Sequence, residues 1–160
     1  MEQLRSEGLT NAEIVQIDIT SDESVKNARI ELAKKTDELD VLNNVGITGN
    51  MPQDALTATV SEFENVLNTN LYGTLRVIQA FTELLEKSRE PQIINISSSI
   101  GSLTLHNDDK WKYFENANLF MVYAVSEAAL NMYTISLANQ LPKFRIHLVD
   151  PGFMAVAICF

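Results

Sequence analysis

The sequence predicts an α/β fold: an incomplete parallel sheet of about four strands, doubly wound by three main helices. Three observations lead there. Short β-branched runs alternate with longer stretches of helical periodicity, the pattern of βαβ units. The runs end in small or polar residues, as strands do at the binding edge of such a sheet. The composition, 46% hydrophobic and 21% charged, is that of an ordinary globular protein. The 160 residues suit a single domain, 1–160, able to bury roughly two-thirds of its unfolded surface.

The elements follow in chain order. Glu13–Ile19 is the first expected strand. A helix then begins near Thr20, where Thr20 and Glu23 have the spacing of a capping box, and carries Val25, Ala28, Leu32 and Leu39 inward. Asp40–Val45 is the second strand. A second helix, about Glu62 to Glu86, sets Phe63, Val66, Leu67, Leu71, Val77, Ile78, Phe81 and Leu85 around a stripe wide enough for burial on two sides. Gln92–Ser97 is the third strand. A third helix, Met121 to Gln140, is rich in alanine and stops before Pro142. Arg145–Val149 is the last strand. Gly8 suits a turn into the first strand, but no glycine-rich phosphate loop precedes it, and the chain ends in Met-Ala-Val-Ala-Ile-Cys-Phe just after a Pro-Gly. The chain reads as truncated on both sides.

Charge and cysteine use narrow the classes of function. A net charge of −9 and a pI near 4.6 set the long-range field against nucleic acid and anionic membrane surfaces. Cys159 is the only cysteine, so no internal disulfide forms and a reducing compartment, the cytoplasm, is expected. No apolar run approaches a membrane span, and Met1 to Gly8 is too charged for a secretory signal.

Motifs gather at the element ends. Asn43-Asn44-Val45-Gly46 closes the second strand, Asn70-Leu71-Tyr72-Gly73 lies in the second helix, and Asn95-Ile96-Ser97-Ser98 closes the third strand. Tyr123-Ala-Val-Ser-Glu127 opens the third helix, and Asp150-Pro151-Gly152 follows the last strand. Alone, each has a plain structural reading: asparagines before glycine serve many turns, and Tyr-x-x-x-Glu is common on helices. Together, in this order, they resemble the short-chain dehydrogenase/reductase family, over about Leu9 to Gly152.

The resemblance implies a Rossmann-type NAD(P)-binding fold and reversible hydride transfer between NADP or NAD and a small carbonyl or alcohol compound. It implies Tyr123 as the acid/base, Ser98 as the group holding the substrate oxygen, and Asn70 supporting a proton-relay water. Asn43, Asn44, Gly46, Pro151 and Gly152 fall on the cofactor side, and Asp18 matches an adenine-contacting acid. Where the family has Tyr-x-x-x-Lys, this chain has Glu127. In the family the lysine lowers the tyrosine pKa and hydrogen-bonds the ribose. At an effective dielectric near 20 and a separation of about 5 Å, each unit-charge effect is roughly 3 kcal/mol, or about two pKa units. Reversing the sign moves the tyrosine toward four units in the unhelpful direction, unless Glu127 takes up a proton. The family's Gly-x-x-x-Gly-x-Gly loop is missing as well, and Met154 and Val156 stand where threonines are usual. The expectation is therefore a chain with little or no turnover alone, a pseudoenzyme.

Ser98 and Tyr123 lie 25 residues apart. That insert is wider than usual and is similar to those of carbonyl reductases. Its Leu105–Ala117 stretch carries His106, Trp111, Tyr113 and Phe114, which suits a bulky or apolar carbonyl compound. His106 with Asp108 and Asp109 reads as solvated loop rather than a metal site, and His147 as a packed core residue. Two alternatives stand beside the impaired enzyme: a module that pairs with itself through helices 62–86 and 121–140, as family members often do, and an active oxidoreductase if the true chain is longer.

Overall fold

The computed structural model describes residues 6, 8, 11–111 and 117–152. Within them lie α1 (Asp22–Leu32), β1 (Val41–Asn43), α2 (Val60–Leu67), a π-helical stretch (Asn68–Gly73) and α3 (Thr74–Leu85). There follow β2 (Gln92–Ile96), a 3₁₀ turn (Ser99–Gly101), α4 (Leu103–His106), a second 3₁₀ turn (Asn118–Phe120), α5 (Met121–Gln140) and β3 (Arg145–Val149). The strands form one parallel sheet in the order β1-β2-β3, with Asn43 opposite Asn95 and Asn95 opposite Leu148.

Three strands are described where four were expected. Glu13–Ile19 is not a strand here. Val15 and Ile19 pack against the core, but Ile17, on the same parity, stays exposed as Ile14 does, so the segment does not alternate as a strand would. It has no hydrogen-bonded ladder among the described residues, where β1 pairs with β2 alone. The cap of α1 is also one residue later than expected. Ser21 Oγ accepts from Ser24 N–H at 3.3 Å, whereas the Thr20 N–H and hydroxyl both turn back to Asp18 Oδ1, at 2.9 and 2.7 Å. An aspartate two residues earlier has taken the threonine before the helix starts. The helix ends at Leu32, so Leu39 reaches the core from outside it.

The second predicted helix is three pieces. Thr59 caps α2 in a complete capping box with Glu62. The π-helical stretch then adds a residue to one turn, which brings Asn70, Gly73 and Thr74 to the buried side before α3 continues with Val77, Ile78, Phe81, Leu84 and Leu85. Arg76 ties the pieces to α1: its Nε donates to Asp22 Oδ1 at 2.5 Å, and its guanidinium reaches the Ile19 and Asn68 carbonyls.

The core lies between α1, α3 and the sheet face carrying Val41, Ile93 and Ile146, with Tyr133 and Leu137 of α5 packed against it. Alternation puts Leu42, Ile94 and His147, which are aligned by register, on the opposite face. That row explains why His147 is exposed rather than a core residue: no helix among the described residues covers its side of the edge strand. The sheet thus shows one wound face of the expected fold. Among the described residues, no helix is long and apolar enough to cross a membrane.

Phe81 is buried in this core, so Phe81→Ala is expected to cost about 3–5 kcal/mol in urea unfolding. Ser21→Ala is expected to cost about 1 kcal/mol, and Thr20→Ala less, because its side chain does not cap α1. The reverse ranking of the two cap variants would restore the capping box at Thr20.

Candidate active site

The parallel register aligns the C-terminal ends of the strands, and α5 crosses beneath them with a polar face inward. Ser126, Glu127 and Thr134 are buried on α5, while Val125, Met132 and Ile135 are exposed. Two hydrogen-bonded chains join that face to the sheet. Asn43 Nδ2 donates to Asn95 Oδ1 at 2.8 Å, Asn95 Nδ2 to Thr134 Oγ1 at 2.9 Å, and Thr134 Oγ1 to the Leu130 carbonyl at 2.8 Å. Asn70, 1% exposed, accepts from Ile47 N–H and donates to Ile47 C=O and to Ser126 Oγ, each at 2.9 Å. Ser126 Oγ in turn donates to the Tyr123 carbonyl at 2.7 Å. Both Nδ2 protons of Asn70 are therefore used inside the protein, holding the turn after β1 against α5.

Tyr123 and Ser98 come together as expected: the Ser98 hydroxyl lies near enough to the phenol to lower its pKa. Burial acts more strongly, and with Glu127 and Asp150 it pushes the phenol up to about 12. No cation is among the groups acting on it.

Glu127 lies one turn below, 4% exposed, and its Oε2 is the buried side-chain polar atom without a hydrogen-bond partner among the described residues. Gly101 puts it there. A Cβ at Gly101 would lie 2.7 Å from the Glu127 carbonyl carbon and 2.8 Å from Ala128 N, so only glycine lets the 3₁₀ turn close onto α5. Burial raises the Glu127 carboxyl to about 7, against the pull of the Ser97 hydroxyl and the Ser98 N–H, with Asp150 adding to the rise. The Ser97 proton is already given to Asn131 Oδ1 at 2.6 Å, which leaves that hydroxyl better placed to accept a proton from Glu127 than to donate one.

The residues expected on the cofactor side are more scattered. Asn44 and Gly46 are exposed, and Asn43 is committed to Asn95. Asn43 and Asn44 share a cavity of about 280 Å³ with Ile17, Ile19, Leu39, Val41 and Phe81. Asp18 lies outside its lining, exposed at the start of α1, and its hydrogen bonds from Thr20 hold its carboxyl below the usual range. Pro151 and Gly152 are exposed beyond β3, where Gly152 has a φ of 72° and donates its N–H to Asp150 Oδ1 at 2.9 Å. Tyr113, Phe114, Met154 and Val156 lie outside the described residues. His106 bonds the Ile100 carbonyl at 2.7 Å and packs its ring on Trp111. Among the described residues, no cluster of three or more His, Cys, Asp or Glu could hold a metal ion.

Sequence reasoning gave Asn95 and Ser126 a place in the motifs but no role, and it missed Thr134, whose spacing resembles any polar helix. It also missed Gln53, 6% exposed, whose partners are as far as 70 residues away.

A parallel sheet with helices packed on one face, Ser98 just after β2 and Tyr123 in the first turn of α5 have the form of a nucleotide-binding α/β fold, which takes ligands at the strand ends. Comparison with known proteins agrees. The family model for short chain dehydrogenase matches residues 1–159, and the chain belongs to that family. It is 28% identical to (+)-neomenthol dehydrogenase of Arabidopsis thaliana, over 91% of this chain and 65% of that protein. Among solved structures, NADPH-bound carbonyl reductase from chicken fatty liver matches with a TM-score of 0.80 and 27% identity, over 94% of this chain and 62% of the other. The 3-ketoacyl-(acyl-carrier-protein) reductase of Brucella melitensis, complexed with NADH, has the same fold, with a TM-score of 0.75 at 22% identity over 94% and 60% of the two chains. The chain thus spans less than two-thirds of the length of these relatives.

The Glu127 shift has a pH signature. Unfolded, the carboxyl ionises near 4.5; folded, near 7. The folded state holds the proton more tightly, so this group's contribution is most favourable below pH 4.5, falls by up to roughly 3 kcal/mol as pH rises to about 7, and is level above. Glu127→Gln removes that slope. The thermal midpoint of the variant is therefore expected to gain on that of the native chain between pH 5 and 7 and then to hold its lead. Parallel curves would mean that the carboxyl is ionised and solvated in the fold.

Proposed function

We propose that this chain carries the acid/base side of an NAD(P)-dependent oxidoreductase acting on carbonyl or alcohol compounds, and that by itself it turns over little or nothing. Tyr123 is the proton-exchanging group, Ser98 orients the substrate oxygen, and Asn70 supports the relay by fixing the turn after β1 against α5. The reading is carried by one observation: Tyr123 and Ser98 interact, with a buried carboxyl in place of a cation one turn below. A phenol raised to about 12 gives up its proton reluctantly and leaves little phenolate near neutral pH to act as a base.

The residues present fit a dinucleotide in part. Asn44, Val45 and Gly46 are open at the strand ends, and an uncharged Glu127 offers hydrogen bonds but no positive charge. When bound, the nicotinamide would supply or accept the hydride; this chain's own residues hold the oxygen and move the proton. NADP or NAD is the proposed cofactor, in keeping with the chicken and Brucella relatives named above. A bulky or apolar carbonyl compound is the proposed substrate class, supported by an apolar cavity of about 240 Å³ between the insert and α5, lined by Ile100, Leu103, His106, Met121, Ala124 and Val125 among others. The cytoplasm is the proposed compartment, and residues 1–160 one partial domain.

A second reading rests on surfaces. Val125, Met132 and Ile135 of α5 and Tyr72 of the π-helical stretch are exposed, which favours pairing of two copies through 62–86 and 121–140. Light scattering that finds a monomer at high concentration would remove it.

The direct test is titration with NADPH and NADH while following thermal midpoint and nicotinamide absorbance, since a ligand that binds the native state raises the midpoint. The expected outcome is no rise at millimolar cofactor and no oxidation of NADPH by the native chain. In a chain extended to the length of the relatives named above, Glu127→Lys is expected to raise carbonyl-dependent oxidation by about 10²-fold or more. Turnover by the native chain would overturn the impaired reading.

A further inference from the structure

Nothing in α5 itself caps its N-terminus: Phe120 occupies the cap position and supplies no side-chain hydrogen bond. The exposed first-turn N–H groups of a helix need acceptors when they are buried. Here the acceptor comes from another part of the chain. Gln53 Oε1 accepts from Val122 N–H at 2.8 Å and from Tyr123 N–H at 3.1 Å. Its Nε2 donates both protons, to the Thr48 carbonyl at 2.7 Å and the Asn50 carbonyl at 3.1 Å, and its backbone N–H donates to the Leu119 carbonyl at 2.9 Å. The side chain thus uses every proton it has. Gly49, at φ 78°, makes the room: a Cβ there would lie 2.8 Å from Val66 and 3.3 Å from Gln53 Nε2.

The peptide groups flanking Tyr123 are therefore gripped on both sides. Gln53 holds its N–H, and Ser126, backed by Asn70, holds its carbonyl. Gln53 and Asn70 both also grip the loop after β1, Gln53 at Thr48 and Asn50 and Asn70 at Ile47. A cap needed only for stability would be served by a serine or threonine at position 120. A long amide arriving from the loop does something a local cap cannot, because it makes the height and direction of the first turn of α5 depend on that loop.

We propose that Gln53 is a positioning residue for Tyr123: as the trans cap of α5 it sets the phenol against Ser98, and with Asn70 it couples that alignment to the loop 46–53. The proposal rests on the reading of Tyr123 and Ser98 as a working pair. Gln53 touches no reacting atom and acts through the Tyr123 backbone alone.

The test reads Tyr123 directly, without turnover. In protein labelled at the tyrosine Cζ, Tyr123→Phe assigns the Tyr123 signal, and Ser98→Ala is expected to move that signal in the native background because it removes the phenol's hydrogen bond. In Gln53→Leu, which cannot accept from either N–H, the response to Ser98→Ala is expected to be lost. In Gln53→Glu, whose carboxylate still accepts from both N–H groups but cannot donate to the Thr48 and Asn50 carbonyls, the response is expected to shrink, because the cap is kept and the grip on the loop is lost. Val25→Ala, in the core between α1 and α3, serves as a destabilised control and is expected to keep the full response. A response that survives Gln53→Leu overturns the proposal, as does one lost equally in Val25→Ala. Absence of any response in the native background overturns the pairing of Tyr123 with Ser98, and the positioning role with it. If Gln53→Leu does not fold, loss of the response in Gln53→Ala supports the proposal and its survival overturns it.

Discussion

The buried polar face of α5 is the constraint on which the rest of this site depends. A helix laid on a sheet ordinarily turns apolar residues inward. This one buries Ser126, Glu127 and Thr134 among Val122, Ala124 and Leu130, and exposes Val125, Met132 and Ile135. Each buried polar group must then find a partner or lose the free energy of its hydration. Thr134 is met by Asn95, and Ser126 by Asn70 and the Tyr123 carbonyl. Those partners fix where β1, β2 and the π-helical stretch can sit. The asparagines at the strand ends are thus structural bonds first, and their availability to a ligand is limited by that commitment.

Glu127 is the member of this face whose needs are not met. Its Oε2 has no hydrogen-bond partner among the described residues, and no cation is among the groups acting on its pKa. Burying an unpaired charge costs more than taking up a proton, so the carboxyl answers by shifting toward neutrality. Burial acts on Tyr123 in the same direction, and Glu127 adds to the rise of the phenol. This differs from the simple expectation of a sign reversal: a carboxylate would repel the phenolate, whereas a carboxyl carrying its proton mostly withholds the help a lysine would give. The first-ranked cause of the Tyr123 shift is accordingly burial, with Glu127 second.

Much of this was legible in the sequence, and the failures have physical causes. Met121–Gln140 has its predicted bounds because alanine-rich sequence and Pro142 act locally. Tyr123 and Ser98 meet as the motif order implied, since parallel strands place successive ends on one edge. Glu13–Ile19 failed because a β-branched run reports strand propensity, not whether a neighbouring strand exists to share a ladder. His147 failed for a related reason, since burial of a strand face depends on what covers it. The π-helical stretch was invisible because a single added residue leaves composition unchanged, yet it turns Asn70 inward. Gln53 carried no signal at all: its partners are near it only in the folded chain.

What the site offers chemically follows from combining these constraints. Two acids, a phenol and a carboxyl that keeps its proton up to about pH 7, stand one helical turn apart with Ser98 between them, its hydroxyl toward the phenol and its N–H toward the carboxyl. Such an arrangement holds protons firmly. It is suited to hydrogen-bonding an oxygen acceptor near the phenol, but cycling a proton requires that one acid release it and the site stabilise the charge left behind. Nothing on the described strand ends does that, because Asp150, the other charged group acting there, is itself an acid and adds to both shifts. The backbone geometry is therefore held by hydrogen bonds that do not depend on position 127, while the high pKa of the phenol comes first from burial and then from Glu127, with Asp150 adding to it. Shape and electrostatics are set by different groups, which is why the fold can keep one without the other.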